Sequence, residues 1–182
     1  DGFFCDGIHA GLKPNGNNDL GFIYTKEACT VAAIFTENRF QAAPLKHFLA
    51  YEEGFKTNFV LINSKNANAL TGRKGIEDIN TLFSKLNFDL INPVMSSTGV
   101  IGNRLPIEKL VTGALKFDLT AKSGENLSRA IMTTDAYPKT CLYEVKLEDG
   151  SSFKIGAVAK GAGMINPNLA TMLCFICTDA DV

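Results

Sequence analysis

Three short segments carry residue types that could do chemistry, and the first runs from Lys160 to Thr171. Its sequence, KGAGMINPNLAT, places glycines and asparagines ahead of a threonine that begins an apolar run. Glycine permits a turn tight enough to hold one hydroxyl rigidly against nearby backbone, so the Thr171 hydroxyl is a candidate reactive group. An ordinary glycine-rich β-turn is the simpler explanation, and the pattern alone favours it because short Gly-x-Gly segments are common.

The other two segments are Ser97–Gly102 (STGVIG) and Met132–Asp135 (MTTD). Successive backbone N–H groups in STGVIG could converge on an anion or oxyanion ahead of a helix that opens at Pro106. A plain strand-to-helix turn is the alternative, and by pattern alone it is favoured. For MTTD, a cap or turn after a helix is the commoner explanation.

Histidine and cysteine chemistry is disfavoured by the sequence. The two histidines, His9 and His47, do not adjoin an obvious Ser or Cys nucleophile, so a Ser-His-Asp site has few candidate parts. Cys174 and Cys177 have the spacing of a zinc or redox pair, but they lie in an apolar run without a second ligand pair. Five irregularly spaced cysteines argue against a disulfide framework. We therefore expect no metal and no cofactor.

Apolar periodicity and turn residues predict strands and helices in mixed order. The predicted strands are Leu20–Tyr24 and Cys29–Thr36 (a hairpin or small sheet), Thr57–Asn63, Ile91–Met95, the pair Thr140–Leu147 and Ser151–Ala159, and a buried strand Thr171–Thr178. The predicted helices are Ile76–Phe88, Pro106–Lys116 and a third from about Ser123 toward Met132. The chain is thus expected to form one domain, residues 1–182, with an α+β fold of mixed layers.

Composition excludes several classes of protein. With 182 residues, 46% of them apolar and 20% charged, the chain is long enough and apolar enough to bury a core. A formal net charge of −1 without a basic stripe argues against nucleic acid as a partner. The longest uncharged stretch, residues 161–178, is interrupted by Gly163 and Pro167 and is not expected to span a membrane. Without a signal-like start, we expect a cytoplasmic location.

Several motifs, taken in order, resemble the ornithine acetyltransferase family (bifunctional glutamate N-acetyltransferase and amino-acid acetyltransferase). They are SSTGVIG at Ser96–Gly102, MTTDAYPK at Met132–Lys139 and KGAGMINPNLATML at Lys160–Leu173. The likeness extends back through NSKNANALTG at Asn63–Gly72 and FTENRFQAAPL at Phe35–Leu45, so it covers nearly the whole chain. An ordered series of motifs is more specific than any one of them.

The resemblance implies a precursor that cuts itself between Ala170 and Thr171. Residues 1–170 then resemble the alpha chain and residues 171–182 the first strand of the beta chain, in a heterotetramer of two alpha and two beta chains. Cleavage would leave Thr171 as an N-terminal nucleophile whose own α-amine, with a pKa of about 7.7–8.0, serves as a local base.

The resemblance also implies roles for other residues. Thr98 and Gly99 match the oxyanion hole, Thr134 and Lys160 match positions that contact the amino-acid substrate, and Thr171 matches the residue that carries the acetyl group. The implied reaction passes the acetyl group of N2-acetylornithine through Thr171 to glutamate, in a ping-pong order, as a step of arginine biosynthesis. Acetyl-CoA is compatible as a second donor, and a eukaryotic form would be expected in the mitochondrial matrix.

Two alternatives remain open at the level of sequence. One is an N-terminal-nucleophile aminopeptidase or amidohydrolase, which would use water as acceptor at the same threonine. The other is an inactive structural fragment, because only twelve residues follow Ala170. The later substrate-binding acid expected of the family does not lie in this sequence.

Overall fold

A computed structural model of the chain describes residues 2–161 and 172–180, which form two sheets and four helices. The strands are β1 (Phe3–Ile8), β2 (Leu20–Thr30), β3 (Lys56–Asn63), β4 (Val94–Ser97), β5 (Lys139–Lys146), β6 (Ser152–Lys160) and β7 (Leu173–Thr178). The helices are α1 (Ala43–Phe48), α2 (Gly72–Ser84), α3 (Ile107–Ala114) and α4 (Gly124–Ile131).

The first sheet has the strand order β1-β2-β3-β4, and the second has the order β5-β6-β7. β1, β2 and β3 are antiparallel, whereas β4 runs parallel to β3 after the crossover through α2. The second sheet is antiparallel throughout. The α+β fold expected from the sequence is confirmed.

The first sheet is covered on both faces. On one face Phe22 and Phe59 pack against Leu82 of α2 and Leu110 of α3, in a cluster whose members are almost completely buried. On the other face, Ile62 packs with residues of α4 and of the second sheet. The contributors there are Ile23, Leu127, Ile131, Val158, Phe175 and Cys177. Burying apolar surface on both sides fixes the two sheets around α4.

α4 approaches the first sheet closely because glycines lie beneath it. Gly7 of β1 and Gly21 of β2 are paired across the strands. A Cβ built on Gly7 would lie 2.3 Å from the carbonyl oxygen of Asn126 and 2.7 Å from the Cβ of Ala130. A Cβ on Gly21 would lie 2.6 Å from a methyl group of Leu127. Only hydrogen at these two positions leaves room for the helix backbone.

Most predicted elements are confirmed, including the β5–β6 pair, but their ends shift by up to four residues: the helix predicted at Ile76–Phe88 is Gly72–Ser84, and the strand predicted at Ile91–Met95 is Val94–Ser97. Two predictions were wrong. The segments Leu20–Tyr24 and Cys29–Thr36 do not form a hairpin, because Leu20–Thr30 is one strand with a bulge between Tyr24 and Cys29. β7 is not a buried strand, because it is the edge of its sheet and Ile176 is 68% exposed. Alternating apolar and polar faces cannot be read from an uninterrupted apolar run.

None of the helices in the described part of the chain is long and apolar enough to cross a bilayer.

We predict that Gly7→Ala destabilises the protein by about 2 kcal/mol, because the new methyl group would have to push α4 off the sheet. Gly124→Ala is the matched control, since a Cβ at this first residue of α4 meets nothing within 4 Å. The free energy of unfolding from urea titrations measures both. If Gly7→Ala and Gly124→Ala had the same free energy of unfolding, the close packing of α4 on the sheet would be contradicted.

Candidate active site

The candidate site lies where β4, β6 and α4 end. Lys160 is the last residue of β6, Thr98 directly follows β4, and Thr133 lies two residues beyond α4. The Lys160 Nζ donates hydrogen bonds to the hydroxyl oxygens of Thr133 at 2.7 Å and Thr98 at 3.2 Å. Lys160 is only 5% exposed. One buried ammonium therefore joins residues that are 27 and 62 positions away in the sequence.

The Lys160 ammonium retains hydrogen-bonding capacity. It has three N–H donors, and within residues 2–161 and 172–180 two of them have hydroxyl partners. The nearest carboxylate oxygen, Oδ2 of Asp135, lies at 3.9 Å, which is an ion pair but too long for a direct hydrogen bond. The third donor is thus available for an anionic oxygen of a ligand.

Asp135 is the carboxylate that balances this charge, and its side chain is 2% exposed. Its Oδ1 accepts from the Gly161 N–H at 2.7 Å and from Lys139 Nζ at 2.9 Å, and its Oδ2 accepts from the Thr133 N–H at 3.2 Å. Burial alone would raise the pKa of Asp135, but these hydrogen bonds and the Lys160 charge lower it from 3.8 to about 2. Asp135 is therefore ionised at neutral pH. It holds together the segment after α4, through the Thr133 N–H, and the end of β6, through the Gly161 N–H.

The pKa of Lys160 is lowered from its ordinary value, chiefly because burial disfavours the charged form. The Asp135 carboxylate opposes this effect, and the Lys139 ammonium adds to it.

The Thr98–Gly102 backbone does not form the converging anion-binding turn that its sequence allowed. The N–H groups of Thr98, Val100 and Gly102 donate to the carbonyl oxygens of Asn63, Lys65 and Ala69, at 3.0, 3.1 and 2.9 Å. These three N–H groups are already hydrogen-bonded because this segment lies alongside the end of β3 and the loop that follows it. Successive N–H groups therefore do not converge on an anion.

The N–H groups of Gly99 and Ile101 make no hydrogen bond to any described residue, and that of Gly99 directly follows Thr98. Gly99 has φ of 136°, and a Cβ built on it would lie 2.2 Å from the carbonyl carbon of Lys65. Both the conformation and the close approach require glycine. The Gly99 N–H is thus an unpaired donor next to Thr98.

Asparagine side chains hold the loop that supports Gly99. The Asn63 amide donates to the carbonyl oxygens of Ser64 and Asn66, and its oxygen accepts from the Ser97 hydroxyl at 2.7 Å. The Asn66 amide donates to the carbonyl oxygens of Asn103 and Arg104. Buried amides that satisfy backbone carbonyls in this way rigidify a loop.

A second buried lysine lies below the site. Lys13 is 8% exposed, and its Nζ donates to the carbonyl oxygens of Asn18 at 2.5 Å and of Arg129 at 3.2 Å. Arg129 is in the last turn of α4, where a cation is favoured by the helix dipole. Burial lowers the pKa of Lys13, and the charges of Asp19 and Asp135 oppose that change. Lys13 thus fixes the end of α4 just before Thr133.

The predicted site residues are only partly brought together. Thr98 contacts Lys160 and is followed by Gly99, whereas Thr134 is exposed and its neighbour Thr133 makes the other contact with Lys160. Ala170 and Thr171 lie outside the described residues.

Sequence reasoning missed the roles of Thr133, Asp135 and Lys13. Turn chemistry gives no signal for Asp135, because an Asx turn accepts the N–H two residues later, whereas Asp135 accepts the N–H of Thr133, two residues earlier. No local signal points to Lys13, because its partners on α4 are more than 100 residues away in the sequence.

This arrangement suits a carboxylate and a developing oxyanion. A buried ammonium with a free donor can bind a carboxylate oxygen at short range, and an unpaired backbone N–H beside a threonine hydroxyl can stabilise negative charge on a carbonyl oxygen. Within the described ranges, no group of three or more His, Cys, Asp or Glu side chains is arranged to hold a metal ion.

Comparison with known proteins finds one family throughout, the ArgJ proteins. The model of the ArgJ family matches residues 4–182. The arginine biosynthesis bifunctional protein ArgJ of Wolinella succinogenes is 55% identical over the whole chain, and the mitochondrial ArgJ of Uncinocarpus reesii is 40% identical. The chain spans 47% and 44% of the length of these two relatives, about half.

Two solved structures share the fold. The ArgJ protein of Bacillus halodurans matches with a TM-score of 0.80 and 34% identity, over 95% of this chain and 92% of that one. Ornithine acetyltransferase of Mycobacterium tuberculosis, solved with ornithine, matches with a TM-score of 0.73 and 31% identity, over 94% of this chain and 93% of that one.

The family model matches nearly the entire chain, including the segments that form the Lys160 site. This protein therefore belongs to the ArgJ family.

Proposed function

We propose that this chain is the portion of an arginine-biosynthesis acetyltransferase that transfers the acetyl group of N2-acetylornithine to glutamate. The transfer would run in ping-pong order through an acetyl ester on Thr171, after self-cleavage between Ala170 and Thr171. Family membership supports the class of reaction, and the ornithine bound to the Mycobacterium tuberculosis structure supports the class of substrate.

The observation that carries the proposal is the position of Lys160. Its ammonium is buried and held by the Thr98 and Thr133 hydroxyls, and its third N–H donor has no hydrogen-bond partner among the described residues. Lys160 is paired across the sheet with Leu173, which comes two residues after Thr171 in the sequence. A lysine in this position is suited to binding the α-carboxylate that N2-acetylornithine and glutamate share.

Self-cleavage would generate the nucleophile. The Thr171 hydroxyl would attack the carbonyl carbon of Ala170 and convert the peptide bond into an ester, and water would then hydrolyse that ester. The products are a carboxylate on Ala170 and a free α-amine on Thr171. A neutral α-amine can take up the hydroxyl proton, which activates an otherwise poor nucleophile.

Acetyl transfer would then use the same hydroxyl twice. In the first half, the Thr171 oxygen attacks the acetyl carbonyl of acetylornithine, the C–N bond breaks, and ornithine leaves with the proton on its amine. In the second half, the glutamate amine attacks the ester carbonyl, the ester C–O bond breaks, N-acetylglutamate leaves, and the proton lost by the amine returns to the Thr171 oxygen. We propose that the Gly99 N–H and Thr98 stabilise the oxyanion in both halves, and that Thr134 and Lys160 contact the substrate.

The complete enzyme would need more than this chain. The curated relatives are about twice as long, so a beta chain from the same precursor is the proposed partner, in a heterotetramer of two alpha and two beta chains. Acetyl-CoA as an additional donor is part of the proposal, since several relatives carry the name bifunctional.

Intact-mass spectrometry tests the proposal directly. In the full-length protein we expect two chains separated ahead of Thr171, and after addition of acetylornithine an acetyl group on the chain that begins with Thr171. Adding glutamate should remove that label and yield N-acetylglutamate. Retained turnover with an unlabelled Thr171 would contradict the covalent step, and loss of the label to water at the same rate without glutamate would identify a hydrolase.

Lys160→Met is expected to lower kcat/KM for acetylornithine roughly 100-fold, because it removes a charged hydrogen bond to the substrate carboxylate. Lys85→Met is the matched control, since Lys85 pairs with Glu108 on the surface. Steady-state kinetics on folded variants provide the measurement. An unchanged kcat/KM in Lys160→Met would exclude Lys160 from substrate binding.

Asp135→Asn is expected to lower the free energy of unfolding at neutral pH, because Asp135 has a lowered pKa of about 2 in the folded protein. A carboxyl group whose pKa is lowered in the folded protein stabilises the folded state at pH values above its ordinary pKa of 3.8. That stabilisation is lost as the pH falls from about 4 to about 2. The stability gap between wild type and variant should therefore narrow below pH 4 in urea titrations. Asp89→Asn, at an exposed carboxylate, is the matched control, and a constant gap for Asp135→Asn would contradict the prediction.

A further inference from the structure

Lys65 is an exposed lysine in a backbone conformation that favours glycine. It has φ of 71°, in the left-handed region. A side chain with a Cβ is strained there, and such strain concentrates at functional sites when the surrounding structure holds it in place. Lys65 is held by the Val100 N–H, which donates to its carbonyl oxygen at 3.1 Å.

The Lys65 backbone packs directly on Gly99. A Cβ built on Gly99 would lie 2.2 Å from the carbonyl carbon of Lys65 and 2.6 Å from its Cα. The Lys65 backbone therefore lies against Gly99, whose N–H makes no hydrogen bond to the described residues. Thr98, the residue before Gly99, contacts the buried Lys160 ammonium. Lys65 thus lies at the border of the candidate site.

The Lys65 ammonium has no hydrogen bond or ion pair to the described residues. Its charge nevertheless reaches the site: the pKa of Lys13 is lowered first by burial and then by the charges of Lys65 and Lys160. The cations around the site outnumber the carboxylates, with Lys13, Lys65, Lys139 and Lys160 against Asp19 and Asp135. An excess of positive charge favours a ligand with more than one carboxylate.

The two proposed substrates differ in the charge at the end of their side chains. Acetylornithine and ornithine carry an ammonium there, whereas glutamate carries a second carboxylate. A cation near the end of the substrate side chain would attract glutamate and repel ornithine, which is how charge produces specificity. Lys160 cannot discriminate in this way if it binds the α-carboxylate that both substrates share.

We infer that Lys65 is a specificity-determining residue whose ammonium pairs with the side-chain carboxylate of the acceptor amino acid. This inference rests on the proposed function, because it assumes that glutamate and ornithine occupy the site described above. It gives a reason for a lysine at a strained position.

Binding to the unacetylated full-length protein tests the inference, because no transfer can follow there. Isothermal titration with glutamate and with ornithine compares wild type, Lys65→Met and Lys65→Arg, with Lys74→Met on the exposed face of α2 as the matched control. We expect Lys65→Met to weaken glutamate binding roughly tenfold while ornithine binding is unchanged or tighter. Lys65→Arg, which keeps the charge, should retain most of the glutamate affinity.

Three results would overturn the inference: equal glutamate affinity in wild type and Lys65→Met, an equal loss for glutamate and ornithine, or no glutamate binding to wild type. Thermal unfolding of each variant checks that it is folded, and Lys65→Gly is expected to unfold at or above the wild-type temperature because glycine relieves the strain. Failure of acetylornithine to label Thr171 would refute the proposed function instead, while the glutamate and ornithine affinities would still decide the role of Lys65.

Discussion

The arrangement of the site depends on one buried positive charge. Removing an ammonium from water is costly unless hydrogen bonds and an opposite charge compensate for it. For Lys160 the compensation comes from the hydroxyls of Thr98 and Thr133 and from the carboxylate of Asp135. These groups follow β4 and α4, whereas Lys160 ends β6. The charge can therefore be buried only when both sheets and the helix between them are assembled.

Close packing of α4 is the second requirement. The helix lies against Gly7 and Gly21 so closely that no side chain fits between, and its last turn is held by the Lys13 ammonium. Its end delivers Thr133 and Asp135 to Lys160. Asp135 in turn accepts a hydrogen bond from the N–H of Gly161, which is the first residue after β6. The segment that leads toward Thr171 thus starts from a fixed point.

The loop after β3 determines which groups of the Thr98–Gly102 segment stay free. The Thr98 N–H donates to Asn63 at the end of β3 and the Val100 N–H to Lys65 in the loop, whereas the Gly99 N–H has no hydrogen-bond partner among the described residues. The same loop carries Lys65 in its strained conformation. The proposed oxyanion donor and the proposed specificity residue are therefore positioned by one backbone contact, the close approach of Gly99 to Lys65, which requires glycine at residue 99.

The sequence by itself determined the mixed fold, the helices with a clear 3.6-residue period, the β5–β6 hairpin and, through its ordered motifs, the family. These features are local, or they repeat along the chain. It did not determine which hydroxyls meet Lys160: the resemblance gave Thr134 and Lys160 only as substrate contacts, and the structure adds that the Lys160 ammonium donates to Thr133, whose N–H is held by Asp135. It also could not identify Lys13, whose partners on α4 are distant in sequence. Only the tertiary structure decided these points, because the free energy of burying a charge depends on partners that meet when separate elements pack together.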